Sequence, residues 1–308
     1  MTLAIIMALT ASFLWSITNH IGKFIVSDVE NDSSSNIKIL LVFSTLVAGI
    51  IISPIWFIIS GFEVGISTIS LICILGSAIL YVIASYFYLR ALIKNDASIV
   101  VVMFQLIPVF SYILGLIFFK ENLTINQIIG SVIIILAAVL ISFDFEKKNT
   151  KDKKVALILM TFASLCYAFY YLLFDIATRS SSYNSCAFWY QIGLLLLGII
   201  FICIKSFRNS FIKAIKNNDK KYLILNISNV VINLGGNLLI NLANVTLPLA
   251  LTTILNGFQG GFVFIIGFIG VKLLPKYFKE DLSKKVVIQK IICIILCIIG
   301  LAITVIGG

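Results

Sequence analysis

The feature that most constrains this chain is a succession of apolar runs, each long enough to cross a bilayer as a helix. Spanning the hydrocarbon takes about 20 mainly apolar residues. Runs of this kind, bounded by charged or turn residues, lie at 3–26, 37–60, 69–92, 97–119, 125–143, 155–177, 182–204, 222–242, 247–271 and 286–306. Within lipid every backbone amide must be bonded inside the chain, so such runs fold as helices. The expected fold is an all-α integral membrane protein with ten transmembrane helices. Composition points the same way: 60% of the 308 residues are hydrophobic and 12% are charged, against about half and about a quarter in soluble domains. Disordered, fibrous and disulfide-rich secreted classes are excluded by the same figures. The longest connections, 28–36, 144–154, 205–221 and 272–285, are too short to hold a further soluble domain. The first run lacks a basic segment before it and has the length of a spanning helix, so it reads as a helix, not a cleaved signal.

The net charge of +10 does not indicate a nucleic-acid partner. The lysines fall in short clusters between apolar runs, as at Lys147-Lys148, Lys153-Lys154 and Lys220-Lys221, with no interleaved stacking aromatics. They read as juxtamembrane charges that meet anionic headgroups. The six cysteines lie in or at the ends of apolar segments as small packing residues. Cys293 and Cys297 share a helix face, but no nearby His or acid completes a metal site. No metal and no cofactor is expected.

Internal repetition organises the chain. Sliding it by 152 residues sets Ala11-Ser12 on Ala163-Ser164, Trp15 on Tyr167, Ala91 on Ala243 and Lys120 on Lys272; a shift of 162 sets Gln127 on Gln289. The units are a first five-helix repeat at 1–146, a lysine-rich linker at 147–154 and a second repeat at 155–308. Five is odd, so the second copy enters the membrane from the opposite side. Two inverted five-helix repeats are the plan of many secondary transporters, which rock about a central site.

Polar residues inside the helices fall in stripes. Ser12, Trp15, Asn19 and Lys23 share a face of the first helix; adding 152 gives Ser164, Tyr167, Tyr171 and Asp175 on the sixth. Ser77, Tyr81 and Ser85 step along the third helix, with counterparts Asn229, Asn233 and Asn237, extended by Asn241, on the eighth. Such groups avoid lipid. They either glue helices together, at about 0.6 kcal/mol per interhelical bond, or line a hydrated cavity between the repeats. The cavity is the favoured reading, because both repeats keep the same faces polar and because glue would favour small side chains over Trp15, Tyr81, Tyr167 and Tyr171. Asn256 and Gln259 of the ninth helix and Gln105 of the fourth are added to it. The candidate solute site is thus Trp15, Asn19, Tyr81, Ser85, Gln105, Tyr167, Tyr171, Asn233, Asn237 and Asn256. The ninth helix also carries Gly257 and Gly261, a small-residue pair that permits close helix approach.

Ionisable residues inside helices are few. His20, the only histidine, is a candidate proton carrier, with hydrogen-bonded packing as the competing role; Asp175 is a second candidate for proton coupling. Lys23 and Asp175 occupy equivalent positions, but inversion sends them to opposite faces, so they are not expected to pair. No Glu or Asp sits near the middle of a helix, which disfavours proton exchange for an organic cation at a buried carboxylate. A small neutral or zwitterionic solute, such as an amino acid, fits best; an organic cation such as choline, held on aromatic faces, is the alternative. A membrane-embedded enzyme lacks a nucleophile–base pair or an acidic metal motif, and a non-transporting sensor or assembly subunit is the remaining class. Partners are a small-molecule solute and the bilayer, with a monomer or homodimer as the assembly.

The segment Pro108-Val109-Phe110, Lys120-Glu121-Asn122-Leu123-Thr124, Gln127 and Gly130 resembles the fourth-to-fifth-helix signature of EamA-type proteins of the drug/metabolite transporter superfamily. Tyr88-Leu89-Arg90-Ala91 through Ala97-Ser98, and Ala11-Ser12-Phe13-Leu14-Trp15, are similar to two further family segments. In the second half Gly260 stands where the pattern has Pro, and Leu273 where it has Glu. The resemblance implies a ten-helix carrier of small metabolites in a cell membrane, the prokaryotic plasma membrane being expected. It also implies both termini inside. Charge implies the reverse: of the 23 Lys and Arg, all but Lys120 and Arg179 lie with the connections after helices 1, 3, 5, 7 and 9. The positive-inside rule makes those connections cytoplasmic.

Overall fold

A computed structural model describes residues 2–27, 32–120, 124–142, 150–216, 220–244, 247, 255–275, 277–278 and 280–306. Among these the chain is helical, without strands. The helices are α1 (Thr2–Val26), α2 (Ser33–Ile59), α3 (Thr68–Leu92), α4 (Ala97–Phe119), α5 (Ile125–Ser142), α6 (Thr150–Ser180), α7 (Tyr183–Cys203), α8 (Lys205–Lys216), α9 (Lys220–Asn244), α10 (Leu255–Leu273) and α11 (Lys284–Ile306). Nine of them, among the described residues, are long and apolar enough to span a membrane; α5 is a shorter apolar helix and α8 is not a span. The protein is a multi-pass membrane protein. Helix α8 occupies a stretch that hydropathy reads as a polar connection, and α6 starts at Thr150, inside the expected linker.

Local chemistry sets the ends and the breaks. Ser67 caps α3 by accepting from Ser70 N at 3.2 Å, and Ser182 caps α7 by accepting from Ser185 N at 3.2 Å. In α4 the missing N–H of Pro108 and its clash with the carbonyl four residues back interrupt the helix at Phe104 and Gln105. Phe104 O is taken instead by Ile107 N at 2.9 Å, a tighter three-residue turn. Helix α10 breaks similarly at Phe258, whose N–H donates to Leu255 O at 3.2 Å, although no proline is present there.

The helices pack chiefly in pairs: α3 on α6, α1 on α9, α5 on α11 and α2 on α7. Helix α4 also lies on α6 and α10, while α10 lies on α1. The α5–α11 pair meets through glycines. A Cβ on Gly130 would lie 2.5 Å from Gly300 O, and one on Gly300 would lie 2.9 Å from Gly130 O. Of the expected pair on α10, Gly257 does pack closely, against Leu301, whereas Gly261 has nothing within 4 Å. Large apolar side chains such as Ile58, Ile72, Ile117 and Ile295 are exposed on the outside of the bundle, where acyl chains would meet them.

The two ends of the bundle differ. At one end, Lys94 pairs with Asp152 at 3.4 Å, Asp96 meets the α10–α11 connection, and Ser210 of α8 donates to Ser35 at 3.4 Å. This is the end where the chain's basic residues concentrate, and it is called the basic end below. At the opposite end Ser67 N donates to Ser181 Oγ at 3.1 Å and Trp189 Nε1 to Val64 O at 2.8 Å.

Candidate functional site

Helices α3 and α6 bring three expected side chains together. The Tyr81 ring lies 5.9 Å from that of Tyr167, and Ser85 Oγ is 3.1 Å from Tyr167 Oη. The group is larger than the polar stripes indicate. Tyr81 also touches Tyr170 and Tyr190, with centroids 5.9 and 6.1 Å apart. Phe104, at the break in α4, packs against Tyr167 at 5.8 Å and Tyr88 at 4.9 Å. Tyr88 Oη donates to Asn19 Oδ1, and Asn19 Nδ2 donates to Trp15 O at 2.8 Å, so the cluster is tied to α1. Tyr88 follows Ser85 by three positions and Tyr170 follows Tyr167 by three; helical spacing was the available signal for both. Tyr190, on α7, offered none.

On the other side of the bundle α1 lies between α9 and α10. A Cβ on Gly236 would meet Trp15 Nε1 at 2.6 Å, so the indole rests on bare α9 backbone. Along α1, Ser12, Ser16 and His20 step by four and reach successive carbonyls of α10. Ser12 Oγ donates to Leu255 O at 3.4 Å, Ser16 Oγ to Gln259 O at 3.2 Å, and His20 Nε2 to Val263 O at 2.8 Å. A carbonyl only accepts, so Nε2 carries a proton. Ser12 Oγ also donates to Asn256 Oδ1 at 3.3 Å. Gln105 is buried at the α4 break. Asn237 Nδ2 donates to Asn233 Oδ1 at 3.3 Å, and buried Asn229 Oδ1 meets no partner among the described residues. The Asn241 side chain lies outside the described residues.

Exposure grows along these stripes in one direction. On α6, Ser164 is 0% exposed, Tyr167 half-buried and Tyr171 52% exposed. Tyr171 points the same way as buried Met160 and Ser164, and away from exposed Ile158 and Phe162 on the outer face. On α9, Asn226 is buried, Asn229 and Asn233 are half-buried and Asn237 is exposed. Both gradients rise toward the opposite end. Asp175 is exposed there and pairs with Arg179 at 2.9 Å, not with Lys23.

Ionic contacts join separate elements at the basic end. Lys290 of α11 is 0% exposed, and its Nζ reaches Asp96 Oδ2 at 2.6 Å, Glu280 Oε2 at 2.8 Å and Asp281 O at 3.2 Å. Glu280 in turn accepts from Ser98 N at 3.2 Å and Ser98 Oγ at 2.5 Å. A Cβ on Gly267 would lie 2.9 Å from Glu280 Cγ and 3.1 Å from His20 Cε1, so the histidine borders this cluster. Lys23 Nζ donates to Leu92 O at 2.6 Å and Ile93 O at 3.1 Å, occupying carbonyls at the end of α3. Glu280 and Asp281 fall in the stretch 272–285, which the sequence reads as a polar connection. The connection instead folds back and places Glu280 in the bundle. Among the described residues no group of His, Cys, Asp or Glu has a metal-holding arrangement.

An all-helical bundle with apolar outer faces and an aromatic and amide interior defines a multi-pass membrane protein with a polar inner surface. Residues 2–143 match the EamA-like transporter family. A 66-residue stretch is 44% identical to an uncharacterized protein of Methanocaldococcus jannaschii, covering 21% of this chain and 48% of that protein; the match thus spans about half the length of that relative. A solved crystal structure of a protein superposes with a TM-score of 0.54 over 97% of this chain and 95% of its own, at 12% identity, so the overall fold is shared.

Proposed function

We propose that the protein is a secondary carrier built from two inverted five-helix repeats, which moves a small neutral or zwitterionic organic metabolite by alternating access. One observation carries this reading. Ser12 Oγ donates to Leu255 O, and Ser164 Oγ donates to Met103 O at 3.4 Å. The donors are 152 residues apart and so are the acceptors, with the two halves exchanging roles. The helix pairing supports it, since exchanging each span for the one five spans away turns α1–α9 into α6–α3 and α10–α1 into α4–α6, and leaves α5–α11 and α2–α7 unchanged. Helices α4 and α10 are interrupted at matching places, as in carriers whose sites sit at broken helices.

In this reading the solute enters from the opposite end, between Tyr171 and Asn237, and stops above the closed basic end. Tyr81, Tyr167, Tyr171 and Trp15 pack its apolar part; Asn19, Asn233, Asn237 and Asn256 bond its polar part. Opening the other way requires releasing Lys290 from Asp96 and Glu280. His20 serves α1–α10 packing through Val263 O. The linked tyrosine rings favour one second reading, an organic cation held on their faces. The test is flux of a radiolabelled amino-acid mixture, and separately of choline, into liposomes holding this protein alone. Uptake that Asn237→Ala abolishes at unchanged folded yield supports the site. Uptake unchanged by Asn237→Ala removes that residue, and flux of neither probe favours a sensor or assembly subunit.

A further inference from the structure

Helix α8 has no role in the solute path, and its three faces meet three different surroundings. Phe207, Ser210, Phe211 and Ala214 turn toward the bundle: Phe211 packs on Phe43 of α2 at 5.1 Å, and Phe207 stacks on Phe201 of α7 at 4.6 Å. Lys38 of α2 donates to Ser206 Oγ at 2.9 Å, which also fixes the helix to the side of the bundle. Advancing 100° per residue, Ile212 and Ile215 form a second, exposed edge, and exposed Ile204 precedes the helix in extended backbone. Lys205, Lys213 and Lys216 form a third, also exposed, with Arg208 at the isoleucine edge. Residues 205–216 contain no acid.

An exposed isoleucine edge beside an exposed lysine edge suits neither water nor hydrocarbon. It suits the boundary between them, with isoleucines among the first acyl carbons and ammonium groups among phosphates. The helix begins one residue after α7 leaves its apolar span, so it starts at that boundary. We propose that α8 is a docking surface for anionic phospholipid headgroups, anchoring the basic end to a negatively charged leaflet. The charge is of one sign and lies beside exposed Ile212 and Ile215, which an acyl layer covers and a purely acidic protein surface would not; this favours a lipid layer over an acidic protein. This inference stands apart from the carrier reading.

The test is titration of detergent-purified protein with dioleoyl phosphatidylglycerol or dioleoyl phosphatidylcholine, reading bound lipid by native mass spectrometry. Each basic side chain at an anionic surface is worth about fivefold in binding. Combining Lys205→Gln, Lys213→Gln and Lys216→Gln should therefore weaken phosphatidylglycerol binding on the order of a hundredfold, leaving phosphatidylcholine binding unchanged. The matched change of Lys151, Lys154 and Lys284, exposed on α6 and α11, to Gln should weaken phosphatidylglycerol binding by no more than about fivefold. Raising the ionic strength of the wild-type sample to about 0.5 M should erase the preference by screening, a readout that needs no variant. Equal binding of the two lipids by wild type, or equal loss in both variants, would overturn the proposal.

Discussion

Replacing Lys290 with methionine tests whether the basic end is held by charge. The ammonium is 0% exposed and Glu280 4%, with contacts of 2.6 Å to Asp96 and 2.8 Å to Glu280. At an effective dielectric of about 20, opposite charges about 3 Å apart attract by roughly 5 kcal/mol. Burying the ammonium takes back several kcal/mol, so the intact cluster is worth little more than an apolar filling would be. Losing one partner is different, because two enclosed carboxylates then face each other without a cation. Lys290→Met should cost about 3–5 kcal/mol, measured as the free energy of unfolding by sodium dodecyl sulfate from mixed micelles. Adding Asp96→Asn and Glu280→Gln should restore at least half of that. A single variant within about 0.5 kcal/mol of wild type, or a triple variant no more stable than the single, would refute the reasoning.

Gly300→Val should destabilise by about 1–3 kcal/mol in the same assay, since its Cβ would press on Gly130 O across the α5–α11 contact; an unchanged free energy would mean that the helices are not in that contact. Ser12→Ala and Ser164→Ala should each cost about 0.6 kcal/mol and should match one another, as equivalents in the two proposed repeats. A large effect of one and none of the other would set them apart. Gly236→Val should lower stability by about 1–3 kcal/mol by driving the Trp15 indole off α9, with Gly235→Ala, beside Leu14 at 3.5 Å, as the mild control.

The spans were legible because lipid leaves a run of 20 apolar residues no fold but a helix. The offset of 152 that aligns Ser12 with Ser164 in sequence also separates the carbonyls they reach, Met103 and Leu255. Hidden features were those set by long-range packing. Residues 205–216 read as a connection because lysine lowers their hydropathy, although Phe207, Phe211 and Ala214 already carried a helical period. The break at Phe258 has no proline to announce it. Asp96, Glu280 and Lys290 come from three separate places in the chain, and no local pattern joins them. Tyr88, Tyr170 and Tyr190 sit among so many aromatic residues that period alone did not select them.

The central claim is that the inner faces of α6 and α9 line a wet path open at the end away from the lysines. Tyr171 and Ile79 are almost equally uncovered in the bare protein, at 52% and 48%. They differ in what would cover them, water for one and lipid for the other. In a background without native cysteines, Tyr171→Cys and Ile79→Cys should be compared in proteoliposomes for reaction with a membrane-impermeant maleimide. Rapid labelling of position 171 with none at 79 is the expected result. Equal labelling, or protection of both, would contradict the presence of a solvent-filled path between the halves.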